Sequence, residues 1–132
     1  MRVVWEEVAV KELDKVLAYG YVTYGAKTTR CFYQSVKDFE RLLISFPYMG
    51  KVEPELKGNL YEYRSFVVHE HFKMIYRLDA IQDVIYIIRF WDVRQEPQSL
   101  LQDVKKYAVH MMIRMALFLG SPIVTVLGGW DN

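Results

Sequence analysis

The stretch that decides the fold is residues 56–97, with the sequence LKGNLYEYRSFVVHEHFKMIYRLDAIQDVIYIIRFWDVRQEP. It is dense in β-branched and aromatic residues, which favour strands. A turn near Glu70 and a second turn at residues 80–83 divide it into predicted strands at about 61–68, 71–79 and 84–91. Because short links join antiparallel neighbours, the stretch predicts a three-stranded antiparallel meander.

The predicted strands carry more positive charges than so apolar a sheet needs for folding. Five cations recur at intervals along them: Arg64, Lys73, Arg77, Arg89 and Arg94. From Leu56 to Arg94 there are six cations and five acids, so the sequence gives this stretch no basic excess. The cations either form a working surface or are partners of acidic groups, and only the fold can separate the two signs.

The residues before this stretch predict a short strand and two helices. Val3 to Trp5 is a β-type run that should join the edge of the sheet, and an apolar spacing of three, four and seven residues predicts a helix over 7–24. A second helix follows and ends at Pro47, with a stripe of Phe32, Val36, Phe39, Leu43 and Phe46. A very short link should fold the two helices into a hairpin against the sheet.

Strand alternation predicts which faces of the sheet are buried. In the middle strand Phe72, Met74, Tyr76 and Leu78 should face the core, while the face with Lys73 and Arg77 should be polar. The last strand is apolar on both faces, with Ile85, Ile87 and Trp91 opposite a row that ends in Phe90. A strand apolar on both faces should be covered on both.

The residues after Pro97 supply a candidate for the second cover. Their apolar spacing predicts a helix over 98–119, and residues 123–127 form a possible extra strand. We expect the helix to pack on a sheet face of its own chain or on a second subunit.

Composition bounds the architecture and the compartment. The chain has 132 residues with 52% apolar content, which suits one domain with a real core, and its net charge of +1 argues against binding nucleic acid by bulk charge. The only cysteine is Cys31, so the sequence predicts no disulfide framework and no thiolate metal cluster. No other metal site and no cofactor is expected. Neither a signal peptide nor a membrane span is predicted, and a cytoplasmic location is expected.

The order of these elements and several short motifs resemble the RelE/ParE superfamily of toxins from bacterial type II toxin–antitoxin modules, which includes plasmid stabilisation proteins. The motifs are FPYMG at 46–50, LKG at 56–58, YRSFVV at 63–68, KMIYR at 73–77 and WDVRQEP at 91–97. The resemblance implies an α+β fold in which an N-terminal strand and an α-helical hairpin pack on a mainly antiparallel sheet of about four strands. It covers residues 1–100 as the toxin domain, and leaves 101–132 as an apolar C-terminal extension.

The resemblance implies two different activities, because ParE-like members poison DNA gyrase and RelE-like members cut mRNA on the ribosome. The DVRQEP ending is closer to ParE-like sequences. Phe66 stands where the RelE pattern has a second strand lysine, and Leu100 where it has a tyrosine. A ParE-like gyrase inhibitor is therefore expected, with a metal-independent ribosome-dependent endoribonuclease as one alternative and an inactive toxin-fold assembly module as another.

The resemblance also implies candidate site residues and partners. The residues expected to bind the target or an antitoxin are Lys57, Arg64, Lys73, Arg77, Arg89, Trp91 and Arg94. Of these, Arg64, Lys73 and Arg94 would be catalytic only in a ribonuclease, where cations hold the developing phosphorane charge. For Arg94 the competing interpretation is a structural pair with Asp92. The expected partners are a cognate antitoxin, DNA gyrase or alternatively the ribosome and mRNA, and a second copy through the C-terminal extension.

Two histidines, His69 and His71, flank the first turn of the meander. A His-x-His pair binds metal when a third ligand is near, but no spacing in the sequence supplies one. Turn residues are the favoured interpretation, with acid–base roles beside the strand cations as the alternative.

Overall fold

The computed structural model describes residues 1–95 and 97–119. It contains five strands and three helices, in an order that starts with one strand and a helical pair and ends with a long helix. Their bounds are β1 Arg2–Trp5, α1 Glu7–Tyr24, α2 Ala26–Ser45, β2 Lys51–Val52, β3 Arg64–His69, β4 Phe72–Asp79, β5 Val84–Asp92 and α3 Pro97–Leu119, with a 3-10 turn at Pro54–Leu56. The predicted α+β architecture is confirmed.

The strands form one sheet in the order β1-β5-β4-β3-β2. Strands β2 to β5 pair antiparallel, as the meander predicts, and β1 pairs parallel with β5 through Arg2 opposite Val84 and Trp5 opposite Ile87. The sheet has one strand more than the four expected, because Lys51 and Val52, between α2 and β3, pair with β3 as β2. The pairing of β1 with β5 places β5 inside the sheet.

The helical hairpin turns on a single residue. Gly25 lies between the end of α1 and the start of α2 with a φ of 90°, a backbone conformation that residues with a Cβ rarely adopt. The Gly25 amide donates to the carbonyl of Tyr21, which closes α1. The predicted bounds of α1 are confirmed, and α2 starts at Ala26, immediately after Gly25.

The hairpin covers one face of the sheet with a shared apolar core. Its buried members come from α1, α2 and all three meander strands: Ala9, Leu13, Val36, Leu43, Val68, Met74, Tyr76, Ile85, Ile87 and Phe90. The predicted inward row of β4 lies here, with Phe72 and Leu78 packed at its margin. We call this cluster the hairpin-side core.

A β-bulge in β5 changes the faces that alternation predicts. Ile75 pairs with Arg89 and the next residue, Tyr76, pairs with Ile87, so Ile88 is an extra residue in β5. As a result Ile85, Ile87 and Phe90 all face the hairpin, although simple alternation separates Phe90 from the other two. The predicted assignment of Phe90 to the opposite face is wrong for this reason.

The second face of the sheet is covered by α3, which makes the molecule three layers thick. Leu100 and Val104 of α3 join a second cluster of buried residues, which we call the α3-side core: Leu56, Tyr63, Ile75, Ile88, Trp91, Leu100 and Val104. The prediction that this face of β4 is polar is wrong, because α3 buries it. The predicted boundary after residue 100 falls inside α3, and the division into 1–100 and 101–132 stays a prediction. The possible strand at 123–127 lies outside the described residues.

Among the described residues no helix combines the length and the apolar character needed to cross a bilayer.

Candidate functional site

The seven predicted site residues do not form one surface. The fold distributes them among a buried ion pair beside β3, the sheet face under α3, and the exposed turns. Their positions decide which of them have charge available for a partner.

Lys73 and Arg64 are held by the segment that precedes β3. The Lys73 ammonium lies 2.7 Å from Glu53, a buried carboxylate that also accepts from the Ser65 hydroxyl. Burial alone would raise the pKa of Glu53, but the hydrogen bonds from Lys73 and Ser65 outweigh it and hold the pKa below its ordinary value. Arg64 donates to the carbonyl of Gly50 at 2.8 Å, and its guanidinium lies 5.1 Å from the ring centroid of Tyr48.

Arg77 lies under α3 in a cage of tyrosine rings. Its guanidinium is 4.4 Å from the ring centroid of Tyr61, 4.6 Å from that of Tyr86 and 5.7 Å from that of Tyr107. Its Nε also donates to the Tyr107 hydroxyl at 2.9 Å. Burial is the main cause that raises the pKa of Tyr107 to about 12. Cation–π contacts with a desolvated guanidinium are worth about 2 kcal/mol each, so the cage compensates Arg77 for the loss of water.

Arg89, near the end of β5, connects α1 on one face of the sheet with α3 on the other. It donates to both oxygens of Glu12 on α1, at 2.9 and 2.6 Å, and to Asp103 on α3 at 2.8 Å. Burial disfavours the charged guanidinium, but its bonds to Glu12 and Asp103 outweigh this and raise the pKa of Arg89. Trp91, whose ring centroid lies 4.9 Å from this guanidinium, is itself 3% exposed.

Arg94 and Lys57 remain exposed. Arg94 follows β5, and its side chain, 66% exposed, forms a fork on the carboxylate of Asp92 with N–O distances of 2.7 to 3.2 Å. The predicted pair with Asp92 is thus present, and this hydrogen bond is the main cause that lowers the pKa of Asp92. An exposed pair of this kind leaves the outer side of the guanidinium available to a second anion.

Arg94 stands at the mouth of a cleft between the helical hairpin and the β3–β4 turn. The cleft has a volume of about 1070 Å³, and we call it the hairpin cleft. Tyr19 and Tyr24 of α1 line it at 66% and 64% exposure, together with Phe32 of α2. The charged residues of its lining are the cations Lys11, Lys15, Arg89 and Arg94 and the acids Glu12, Glu70 and Asp92. Exposed aromatic rings beside cations are the composition of protein-binding surfaces.

The two histidines of the β3–β4 turn also border the hairpin cleft. His69 meets the Phe32 ring edge-on at a centroid distance of 5.4 Å, and His71 lies 3.9 Å from Glu70. Their predicted position beside a turn is confirmed; the His69 contact joins the turn to α2, and the His71 contact stays within the turn.

The geometry has consequences for the catalytic interpretation of Arg64, Lys73 and Arg94. Phosphoryl chemistry requires cations aimed at one point in a shared site. Here Lys73 is ion-paired inside the protein, Arg64 is bonded to the backbone, and Arg94 is paired with Asp92 at the exposed turn after β5. Their role in RNA cleavage stays a prediction, as does the role of the full set in binding.

Sequence reasoning missed the residues that neutralise the strand cations. Glu12 appears as an ordinary helix acid, and Glu53 lies between the second predicted helix and the meander, where the sequence predicts neither helix nor strand. The only available signal was that the predicted strands carry more cations than a buried sheet needs for folding. Cations in a buried sheet require acids or aromatic rings from other segments as partners. Which acids and rings those are depends on contacts between distant segments.

Comparison with known proteins agrees with this fold. The family model for the ParE toxin of the type II toxin–antitoxin system, parDE, matches residues 3–97. The structure titled "Chromosomal ParDE TA system from P. aeruginosa" has a TM-score of 0.57 and 21% identity, covering 70% of this chain and 96% of that one. A "YoeB/ParE toxin from Agrobacterium tumefaciens" has a TM-score of 0.49 and 21% identity, covering 67% and 94%. No curated protein matches the chain.

The match begins in β1 and ends where α3 begins, so it includes the helical hairpin, the meander and the Arg94 turn. The resemblance inferred from the sequence motifs is therefore confirmed, and the chain belongs to the ParE toxin family of type II toxin–antitoxin systems.

Proposed function

We propose that this protein is a growth-inhibiting toxin that binds DNA gyrase in the cytoplasm, and that an antitoxin encoded beside it neutralises it by binding. The observation that carries the proposal is the family match over residues 3–97, which includes every element of the toxin fold. Members of this family act by binding, so the proposal requires a recognition surface and no catalytic cluster.

The placement of the cations supports binding over chemistry. Three of the five strand cations are committed to buried partners: Lys73 to Glu53, Arg77 to its tyrosine cage and Arg89 to Glu12. Buried charges that lose their partner are strongly destabilising, so these cations are poorly suited to exchange their partners for a substrate. Arg94 keeps its charge at the surface.

The hairpin cleft is the recognition surface that we assign to the antitoxin. Its aromatic side chains suit apolar anchor residues, and its exposed cations Lys11, Lys15 and Arg94 suit acidic ones. A segment that folds on binding would supply both kinds of residue from one amphipathic helix. The antitoxin should therefore carry acidic residues around an apolar stripe in its toxin-binding segment.

A supercoiling assay tests the gyrase part of the proposal. Relaxed plasmid, gyrase and ATP are incubated with purified protein, alone or with the co-purified product of the neighbouring gene. We expect lost supercoiling or a trapped cleaved complex with the protein alone, and restored supercoiling with the partner. Unchanged supercoiling and no cleaved complex would rule out gyrase as the target.

A second measurement separates a wrong target from an inactive protein. Induction of the chain without its neighbour should arrest growth, and co-induction of both should restore it. Growth arrest with intact gyrase activity would support the toxin assignment and rule out only gyrase as the target. Normal growth with a folded, expressed protein would favour the assembly-module interpretation.

A further inference from the structure

The turn of the helical hairpin is basic and contains no acidic residue. Between Asp14 and Asp38 the chain has four cations and no carboxylate, although its net charge is only +1. The remainder of the chain is therefore net acidic. The basic stretch includes the last turns of α1, Gly25 and the first turns of α2. We call residues 21–33, around Gly25, the hairpin tip.

Lys27 and Arg30, the cations of the hairpin tip, are exposed on α2. Neither forms an ion pair within residues 1–95 and 97–119, which the structure describes. Farther along the same helix the arrangement differs, because Lys37 pairs with Glu40 at 3.2 Å. A helix face that is only solvated usually mixes charges of both signs. The tip cations therefore have charge available for an anion from outside the chain.

The position of these cations opposes the dipole of α2. Lys27 is the second residue of the helix, whose first turn contains no acid, and Gly25 before it has no side chain to bind the first amides. The amino end of a helix carries partial positive charge and stabilises anions, so a lysine at this end disfavours the helix. The free amides and the lysine together suit a phosphate group. The charge of the hairpin tip therefore favours an anionic ligand over the stability of α2.

Exposed tyrosine rings accompany the cations of the hairpin tip. Tyr21 is 62% exposed and Tyr33 is 38% exposed, so both rings present area to solvent. Nucleic-acid strands bind to surfaces on which bases stack against aromatic rings while cations hold the phosphates. The hairpin cleft differs, because acids are part of its lining, which includes none of the four tip residues Tyr21, Lys27, Arg30 and Tyr33. The tip and the cleft are therefore separate surfaces.

We propose that the hairpin tip binds a DNA strand with unpaired bases. Lys27, Arg30 and the first amides of α2 bind the phosphates, and Tyr21 and Tyr33 stack against the bases. The lack of carboxylates suits a polyanion, and the rings favour nucleic acid over an acidic protein segment. The choice of DNA rests on the proposed function, because gyrase acts on DNA and the toxin would meet broken strands in the cleaved complex. The tip then adds a contact with the DNA to the contact with the enzyme.

Direct binding of DNA to the full chain, without gyrase, tests the inference. The probe is a fluorescent single-stranded DNA of mixed sequence and about 12 nucleotides, and binding is followed by anisotropy. We expect the single strand to bind more tightly than its duplex, and to dissociate as salt is raised because phosphate contacts release counterions. No binding at low salt, or equal binding of the duplex, would overturn the inference. Tighter binding of RNA of the same sequence would assign the tip to RNA and overturn the choice of DNA.

A double variant tests the two cations. Lys27→Ala with Arg30→Ala should weaken binding about tenfold or more at low salt. It should also lower the slope of log affinity against log salt by about 1.4, since each phosphate contact on a single strand contributes about 0.7.

The matched control removes the same charge elsewhere. Lys57→Ala with Lys105→Ala changes two exposed cations outside the tip and should bind DNA like the wild type. An equal loss in both double variants would show general charge attraction and overturn the site.

Tyr21 tests the stacking part of the inference. Tyr21→Ala removes an aromatic ring and should weaken single-strand binding about tenfold, whereas Tyr21→Phe keeps the ring and should bind like the wild type. Because Tyr21 is exposed, neither change should move the denaturation midpoint. If Tyr21→Ala bound the single strand as tightly as the wild type, stacking on this ring would be wrong and the binding mode overturned.

Failure of this inference can be told from failure of the proposed function. We expect the Lys27→Ala, Arg30→Ala chain to trap less cleaved complex with gyrase than the wild type, while it binds the antitoxin normally, because neither residue lines the hairpin cleft. A wild-type chain that binds the oligonucleotide but leaves gyrase active would support the DNA site and contradict gyrase as the target. A chain that inhibits gyrase without binding the oligonucleotide would overturn the DNA site alone. Weaker antitoxin binding by the double variant would assign the tip to an acidic protein partner and overturn the inference.

Discussion

Glu12 and Arg89 form a bidentate ion pair beside the last part of β5, where β1 no longer pairs with β5. The Arg89 guanidinium donates to both Glu12 oxygens, and one of those oxygens also accepts from the backbone amide of Phe90 at 3.1 Å. Strand β1 ends at Trp5, opposite Ile87, so the next part of β5 has no strand on that side. A helix carboxylate thus takes the place of a missing strand partner.

The first prediction concerns this pair. Replacing Glu12 with alanine leaves Arg89 with Asp103 alone and removes the acceptor of the Phe90 amide. Because the Glu12 and Arg89 side chains are 18% and 10% exposed, we expect Glu12→Ala to lower the free energy of unfolding by about 3 kcal/mol. Urea denaturation at neutral pH measures the difference.

The matched control is Glu7, an exposed acid of the same helix that pairs with Lys11 at 3.0 Å. Glu7→Ala should leave the denaturation midpoint near that of the wild type, since exposed ion pairs contribute little. Equal midpoints for the two variants would contradict a structural role for Glu12.

The second prediction concerns pH and Glu53. Its pKa is lower in the folded protein than its ordinary value of 4.5, so its charged form stabilises the fold. That contribution is complete above pH 4.5 and is lost as the pH falls through the lowered pKa. Glu53→Gln should cost about 2 kcal/mol at neutral pH, and the gap to the wild type should narrow below pH 4.5.

Unfolding curves from pH 7 to pH 3 measure this narrowing. Glu55→Gln, an exposed change two residues away, should follow the wild-type curve throughout. A gap between Glu53→Gln and the wild type that stays constant down to pH 3 would argue against the charged carboxylate as its source.

The third prediction concerns the close approach of Gly50 to Tyr76. The Gly50 amide donates to the Tyr76 hydroxyl, which donates to the Pro47 carbonyl at 2.8 Å. A Cβ on residue 50 would lie 2.8 Å from that hydroxyl and 2.9 Å from the Ser65 carbonyl oxygen. Gly50→Ala should therefore destabilise the protein by about 2 kcal/mol.

A double-mutant cycle identifies the source of this cost. In a Tyr76→Phe background the hydroxyl is absent, so Gly50→Ala should cost about 1 kcal/mol less than it does alone. The contacts with the Ser65 carbonyl oxygen and with the ring carbon Cε1 of residue 76, both at 2.9 Å, remain and prevent full relief. If the free-energy costs of Gly50→Ala and Tyr76→Phe were strictly additive, the clash of the new methyl group would not be with the Tyr76 hydroxyl.

The fourth prediction concerns Arg94. Its side chain is exposed, so Arg94→Ala should leave the denaturation midpoint unchanged. Because it borders the hairpin cleft, the same change should weaken binding to the antitoxin about tenfold, measured by titration calorimetry.

Lys57 is the matched control, because it is another exposed cation of the predicted site and lies outside the cleft lining. If Lys57→Ala weakened antitoxin binding as much as Arg94→Ala, general charge and not the cleft would explain the loss.

The local patterns of the sequence predicted most of the fold. The spacing of Leu13 and Leu17 predicted α1, and the alternation of Met74 and Tyr76 predicted the inward face of β4. These patterns depend only on residues a few positions apart. The bulge at Ile88 could not be predicted, because the extra residue is visible only once the β4–β5 register is known.

The site was less predictable for a related reason. The sequence drew attention to the strand cations, but the partners of these cations are distant in sequence: Arg89 pairs with Glu12, and Arg77 with Tyr107. A sequence shows that a buried arginine needs compensation and cannot show which group supplies it. Arg94 was more predictable because its partner Asp92 is two residues away.

The parallel pairing of β1 with β5 also sets the order in which the chain can fold during synthesis. Arg2 leaves the ribosome first, yet its strand partner Val84 appears only after the hairpin and two meander strands have been made. Pairing between segments so far apart in sequence is slow, since the intervening chain must be closed into a loop first. The β1–β5 pair can therefore form only after β5 has been made, later than the helical hairpin and the β3–β4 pair, whose segments precede β5 in the chain.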